Sequence, residues 1–541
     1  MRSKNTLFTI SIILLARLSS FAQIEVSYKE MMDNNSYNFY EVVDAANAYF
    51  DANGRTKGSG WKNFERWKAE NESKFYPSGD RSNVDFYGVT KTYTEIANQA
   101  HNLKNKASFT DGWVELGPWS ANNITSHYSP GIGRVQDFWV NPNNTNQMYI
   151  ASSTGGFWKS NNGGNTWQNT TDFLPAAGVF TFDVNPNNTN EILIAVCQGG
   201  FLYTHGIYRS TDAGATWTVS NFGPANLGWG GLGSNVRITK LRYHPTVANQ
   251  VFVGTSLGLF VSTDNLDTWQ SKFGGNVTDV AFHPTNTDVI YVYNNAGTDR
   301  NFIKISTDGG ANFNNVGEFP NNSNSQIYIS TSPAEPNHVY AASTKNVYKS
   351  TDQGNSFVAL SNPDETCLAF SVSDLNVNNM IYGYVDLQAS TDGGNTFTRT
   401  TSWSNQNSAY IHADMQIANC INGVFYVATD GYFAKSTDNG FTWTKLNDGT
   451  GIRDFYAVGT SQGDYSVHMA GSQDNGTSIL NKDGWIEWNG GDGMEALAHP
   501  LNQNWMIGSW QYGTRSYTRD GGQSRNGTEN PEGGSSNAYW E

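Results

Sequence analysis

An eight-residue phrase, Ser-x-Asp-x-Gly-x-Thr-Trp, recurs seven times along this 541-residue chain. Its copies run Ser160 to Trp167 (with Asn162 for the Asp), Ser210 to Trp217, Ser262 to Trp269 (with Leu266 for the Gly), Ser306 to Phe313, Ser350 to Phe357, Ser390 to Phe397 and Ser436 to Trp443. A decayed copy covers Thr518 to Ser524. Successive first serines are 50, 52, 44, 44, 40 and 46 residues apart. A period of that size is one four-stranded propeller blade, and it overrides any domain count taken from length.

The rest of each unit agrees. A short alternating strand ending near a proline precedes most copies, as in Val135 to Pro142 or Val277 to Pro284. A second apolar strand follows, such as Val251 to Gly254, and a third leads into the phrase, such as Asn346 to Ser350. The phrase itself suits the hairpin between the outer two strands. Its Asp can accept backbone N–H groups of its own turn, its Gly permits positive φ, and its Trp or Phe supplies a large apolar face to bury between blades. The aspartates Asp212, Asp264, Asp308, Asp352, Asp392 and Asp438 are therefore read as turn-makers, not catalysts. An all-β propeller of eight or nine blade-like units is expected, with divergent units near 455–480 and 494–525. One closed ring of seven is the alternative.

Composition supports this. Charged residues make up 15% and Gly numbers 55, as many short strands and tight turns require, while 17 Trp, 27 Tyr and 29 Phe provide a large core. The net charge of −15 gives no basic footprint for nucleic acid and no attraction to anionic membrane.

At the N-terminus, Arg2 and Lys4 precede the apolar run Leu7 to Ala16, and Ser20-Phe21-Ala22 offers small residues for cleavage before Gln23. Residues 1–22 read as a signal peptide. Their removal takes three cations and no acid, so the formal charge falls from −15 to −18. Residues 23–110 read as a helical segment and 111–541 as the propeller. Asn38 with Glu41 three residues on forms a capping box for one helix. A second is expected from Trp61 to Phe75, stopped before Pro77, and a third over 92–104. Cys197, Cys367 and Cys420, odd in number and near strand-like runs, read as buried thiols and not a disulfide framework.

The repeated phrase resembles the Asp-box, or BNR, repeat of sialidase-like, sortilin-like (VPS10) and xyloglucanase-like propellers. The wider pattern is similar to exported bacterial propellers that are cargo of the type IX secretion system. That likeness rests on Gly58 to Trp67, Trp113 to Pro118, Gly131 to Val135 and Gln473 to Thr477. The resemblance implies a secreted or cell-surface protein, and its members include both enzymes and binding proteins. Such cargo normally ends in a sorting domain. This chain stops at Trp540-Glu541 in a Gly/Asn/Ser-rich stretch, so that domain is expected to be absent or lost.

Function is sought where the repeat is broken. His412-Ala413-Asp414, Asp430-Gly431, Gln473-Asp474-Asn475-Gly476 and Gly490-Gly491-Asp492-Gly493-Met494-Glu495 interrupt it with acids, most of them beside Gly. The similar subgroup also carries a His-x-Asp and a Gly-Gly-Asp-Gly stretch near these places. Equivalent loops of successive blades meet at one channel mouth, so His412, Asp414, Asp430, Asp474 and Asp492 are expected to converge, with at least one acid titrating high. Asp474 with Asp492 or Glu495 could form a glycosidase pair. His412, Asp414, Asp430, Asn475, Arg134 and the Trp229 of the Gly-rich insertion 223–234 are candidate binding residues. His-x-Asp on a strand would set both side chains on one face, which could hold a divalent ion, but no second His completes a site, so no metal is expected. A sialidase would need an arginine triad and a Phe-Arg-Ile-Pro phrase, and the nearest match is Val236-Arg237-Ile238-Thr239. No Gly-x-Ser-x-Gly elbow, His-Glu-x-x-His or P-loop occurs, and no cofactor is expected. The leading function is recognition of an extracellular protein or polysaccharide by a monomer without membrane insertion. Glycoside hydrolysis around 474–495 is the alternative.

Overall fold

The computed structural model describes residues 26–56, 59–82, 114–125, 130–174, 176, 178–198, 203–223, 236–297, 301–320, 326–405 and 409–529. The signal peptide expected over 1–22, the helix expected over 92–104 and Trp229 lie outside these.

The repeated phrase forms the turn between the third and fourth strands of a sheet. In the copy at 210, Ser210 Oγ donates to Asp212 Oδ1 (2.8 Å) and accepts the Gly214 N–H (2.8 Å). Asp212 accepts the Thr216 N–H (2.8 Å) and hydroxyl (2.7 Å), and these bonds lower its pKa to about 2. Asn162 substitutes well because its two ends split the task. Oδ1 accepts the Thr166 N–H, and Nδ2 donates to the Thr166 hydroxyl. At Leu266 the turn keeps its φ of +73°, and the side chain is fully buried.

Among the described residues, thirty-six strands form nine four-stranded antiparallel meanders. They span 137–169, 178–219, 238–274, 277–318, 328–361, 369–399, 415–445, 455–489 and 493–529. The first strands of the first seven sheets line a common channel. The first strand of sheet one (Asp137–Val140) touches that of sheet seven (Met415–Ile421), so the ring closes at seven.

The ring is sealed by the phrase aromatics, each lying against the preceding sheet. Trp217 Nε1 donates to Thr170 O (3.0 Å), Phe313 packs on Phe273 and Phe357 on Phe319. Trp167 of sheet one donates to Leu446 O (2.7 Å) of sheet seven's outer end, which completes the circle. Sheets eight and nine pack on each other through Phe455–Thr460 and Gly493–Ala498 around Met469, Ile479, Trp488, Ala496 and Met506. Nine units are present among the described residues, the upper of the expected eight or nine; seven of them close a ring and two lie beside it. Sheet eight lacks the phrase and turns at Lys482-Asp483, and sheet nine keeps the decayed copy, with Thr518 and Asp520 bonded as in the others.

Among the described residues, three helices precede the ring: α1 (Tyr28–Asp33), α2 (Phe39–Asn53) and α3 (Trp61–Phe75). The Asn38/Glu41 capping box starts α2, and α3 ends at Tyr76, before Pro77. Phe39, Val42, Phe50, Trp61, Phe64 and Trp67 form a core drawn wholly from this helical unit. All three cysteines are buried and unbridged, and burial pushes the Cys197 thiol up to about 12.

Candidate functional site

In a four-stranded meander, the entry to strand one and the turn between strands two and three share one end of the sheet. Arg134 precedes Asp137–Val140, Asp414 precedes Met415–Ile421, Asp454 precedes Phe455–Thr460 and Asp492 precedes Gly493–Ala498. Asp430 lies in the turn between Val424–Thr429 and Phe433–Ser436, and Asp474 in that between His468–Ser472 and Gly476–Asn481. All six therefore stand at the entry end of sheets one, seven, eight and nine.

The side chains meet there. Carboxylate oxygens of Asp414, Asp430 and Asp474 lie within 4.8 Å of one another. Arg134 binds Asp430 as a fork (Nε 2.7 Å, NH2 2.6 Å) and reaches Asp474 at 3.7 Å. The Asp474 N–H donates to Asp492 Oδ1 (3.0 Å). His412 Nε2 faces the Asp474 carbonyl (3.1 Å), and Asn475 Nδ2 donates to the Asp430 carbonyl (3.0 Å). A Cβ at Gly131 would strike Asn475 and His412, and one at Gly431 would strike His412, so glycine lets these loops approach. His412 and Asp414 are not strand neighbours as the spacing suggested. They sit in a turn before the strand, where Asp414 has φ +62°, so the turn and not strand alternation aims them. Glu495 is exposed and joins none of these ion pairs.

Two cations missed in the sequence complete the cluster. Lys62 and Arg66, one helical turn apart on α3, both reach Asp474 (3.4 Å each) and Asp492, the Arg66 contact to Asp492 being 2.9 Å. Their i,i+4 spacing, off the Trp61/Phe64/Trp67 stripe, was the available signal, but a charged pair on a helix ordinarily reads as a solvated face.

The cluster splits its acids. Burial and the nearby Asp474 carboxylate push Asp414 up. Burial pushes Asp430 up to about 6 despite Arg134, with Asp474 adding to the rise. Asp474 is largely desolvated, yet Lys62, Arg66 and Arg134 together hold it far below the usual carboxylate range. Burial also raises Asp454.

Three clustered carboxylates are a donor set a divalent cation could bridge, but Lys62, Arg66 and Arg134 already supply the opposing charge. A retaining pair stands about 5–5.5 Å apart and an inverting pair about 6.5–9.5 Å, with the sugar between. Asp492 is 1% exposed and has both cations against it.

Arg134 and Gln416 also line the ring channel, which holds about 620 Å³. Its wall mixes Lys240, Arg242, Asp183 and Asp279 with Phe180, Phe282 and Tyr328. Asp183 is pushed up to about 6 by burial, against Arg242.

No protein-family model and no curated protein sequence matches the chain. Solved structures resemble it in fold. The GH74 enzyme of Niastella koreensis matches with TM-score 0.56 at 17% identity, covering 77% of this chain and 68% of that one. The GH74 xyloglucanase of Xanthomonas campestris gives 0.58 at 14%, covering 76% and 69%. An ancestral GH74 enzyme gives 0.53 at 18%, covering 80% of this chain and 63% of that enzyme.

Proposed function

We propose that this chain is an exported propeller that binds an extracellular protein or glycan on its channel face and does not cleave it. One observation carries the reading. The two acids best suited by sequence to hydrolysis, Asp474 and Asp492, are both engaged by Lys62 and Arg66 of the chain's own helix. An acid catalyst needs a free proton and a nucleophile needs a free lone pair beside the sugar. Here both carboxylates are committed to cations.

The channel offers the opposite kind of surface, with mixed charges and aromatic rings around a ligand-sized space. Export rests on the Arg2/Lys4, apolar-run and Ser20-Phe21-Ala22 pattern. Among the described residues no helix is long and apolar enough to cross a membrane. The organisation that goes with this reading is a signal peptide at 1–22, a helical segment at 23–110 and a propeller at 111–541, acting as a monomer without nucleic acid.

The alternative, a glycoside hydrolase, is favoured by the ring architecture shared with GH74 enzymes. Glycan and peptide arrays test the first reading. Retention that is lost in Arg242→Ala supports it, and absence of retention on every array sinks it.

A further inference from the structure

The phrase aromatics do not fill the seams of the closed ring equally. In sheets one and two an indole N–H reaches a carbonyl just past the outer strand of the preceding sheet, Trp167 at Leu446 and Trp217 at Thr170. Phe313 and Phe357 have no such N–H, and a ring on or just past the outer strand of the preceding sheet, Phe273 or Phe319, packs against them. Phe397 of sheet six faces a different neighbour. Sheet five presents Asn362, Pro363 and Asp364 there, past its outer strand Val358–Ser361. Among the described rings, the one against Phe397 is Tyr382 of its own sheet (5.7 Å). A cavity of about 430 Å³ is left at the rim, with Asn362 and Asp364 on one wall and Gln388, Asn395, Phe397 and Arg399 on the other. That volume falls among small-ligand pockets, about 300–1,000 Å³. Gln388 is 2% exposed, and its amide donates to the Asp364 carboxylate across the cavity. Arg399 pairs with Asp386 (3.2 Å) and stands 3.9 Å from Glu365. Asp392, in the turn beside Asn395, is committed to Ser390 and Thr396.

We propose that this rim cavity binds one neutral pyranose unit. The charges around it disfavour the other classes. An anion would meet the carboxylates of Asp364 and Glu365 with Arg399 already paired, and a cation would compete with Arg399 for its own acids. A sugar hydroxyl both donates and accepts, and the walls supply both needs. Asp364 accepts, while the Asn362 amide and the half-exposed Arg399 guanidinium donate. Phe397 adds a ring for the C–H face of the sugar, which is apolar. The buried Gln388 holds the Asp364 carboxylate in place, so that acceptor is oriented before the ligand arrives. This site stands apart from the channel reading, because its lining shares no residue with the channel wall. It also lies wholly within the closed ring, between sheets five and six.

The test is saturation-transfer NMR of the full chain with glucose, galactose, mannose and xylose, and with galacturonate and glucosamine as charged controls. Thermal unfolding confirms that each variant is folded. Millimolar binding of at least one neutral sugar is expected, stronger than that of either charged control. Phe397→Trp restores the aromatic of the other copies and fills the cavity, so it should keep or raise the melting temperature and abolish the signal. Gln388→Leu keeps the side-chain volume and loses the amide, and should weaken binding by roughly tenfold. Arg242→Ala, in the channel, should leave it unchanged. No transfer to any neutral sugar, undiminished binding by folded Phe397→Trp, a stronger response to galacturonate or glucosamine, or loss of binding in folded Arg242→Ala would each overturn the proposal.

Discussion

Replacing Arg66 by Ala tests how strongly the helical unit is latched to the sheets. The Arg66–Asp492 contact is 2.9 Å, with side-chain exposures of 21% and 1%. Breaking a fully buried pair costs about 3–5 kcal/mol. Here a fifth of Arg66 faces solvent, and Lys62 remains to face Asp492, so about 2–3 kcal/mol is expected. The helical core contains no residue of the sheets, so the loss should appear as undocking of α3, not as unfolding of the ring. The assay is amide hydrogen exchange over 61–75 and 470–480, in a cycle of Arg66→Ala, Asp492→Asn and the double variant. A coupling of about 1.5–2.5 kcal/mol is expected, because each single change removes the same contact. A value below about 0.5 kcal/mol, typical of exposed pairs, would refute the latch.

Trp217→Ala should destabilise the ring by about 3–5 kcal/mol in thermal unfolding, since a buried ring and its bond to Thr170 are lost. Asp212→Ala should cost about 1–3 kcal/mol through unpaired turn donors. At Leu266, fully buried at φ +73°, Gly should be better tolerated than Ala by about 1 kcal/mol, though both should lose about 2–4 kcal/mol of burial. Ala surviving better than Gly in urea titrations would contradict the left-handed turn. Asp430, raised to about 6, binds its proton more tightly folded than unfolded. Its contribution is therefore whole below about pH 4 and lost as pH rises through 6. The stability of Asp430→Asn relative to wild type should rise by about 2–3 kcal/mol between pH 4 and 7, and a flat difference would show that Asp430 titrates normally.

What was legible in the sequence was local. Ser210 to Trp217 carries its own turn chemistry, so the hairpin and its position between the outer strands could be read from one copy, and the unit length from the spacing of successive copies. Asn38 and Glu41 likewise announce a helix start within four residues. Ring closure was not legible, because it depends on Trp167 meeting Leu446, which belong to opposite ends of the ring. The acids at 412–492 could be gathered from blade geometry, since entry loops of successive sheets share one end. Lys62 and Arg66 could not, because nothing in the α3 sequence says which surface its polar face meets. Glu495, two residues beyond Gly493, follows the strand outward and leaves the cluster.

The central claim is that the ring binds without cleaving, because Asp474 and Asp492 are held by the chain's own cations. Reducing-end release from a polysaccharide panel that includes xyloglucan, measured for wild type and Asp492→Asn across pH 4 to 8, tests it most directly. The account predicts that wild type stays at the no-enzyme blank at every pH, with Asp492→Asn indistinguishable from it. Turnover by wild type that Asp492→Asn abolishes, while folding is kept, would contradict the account and make the chain a glycoside hydrolase.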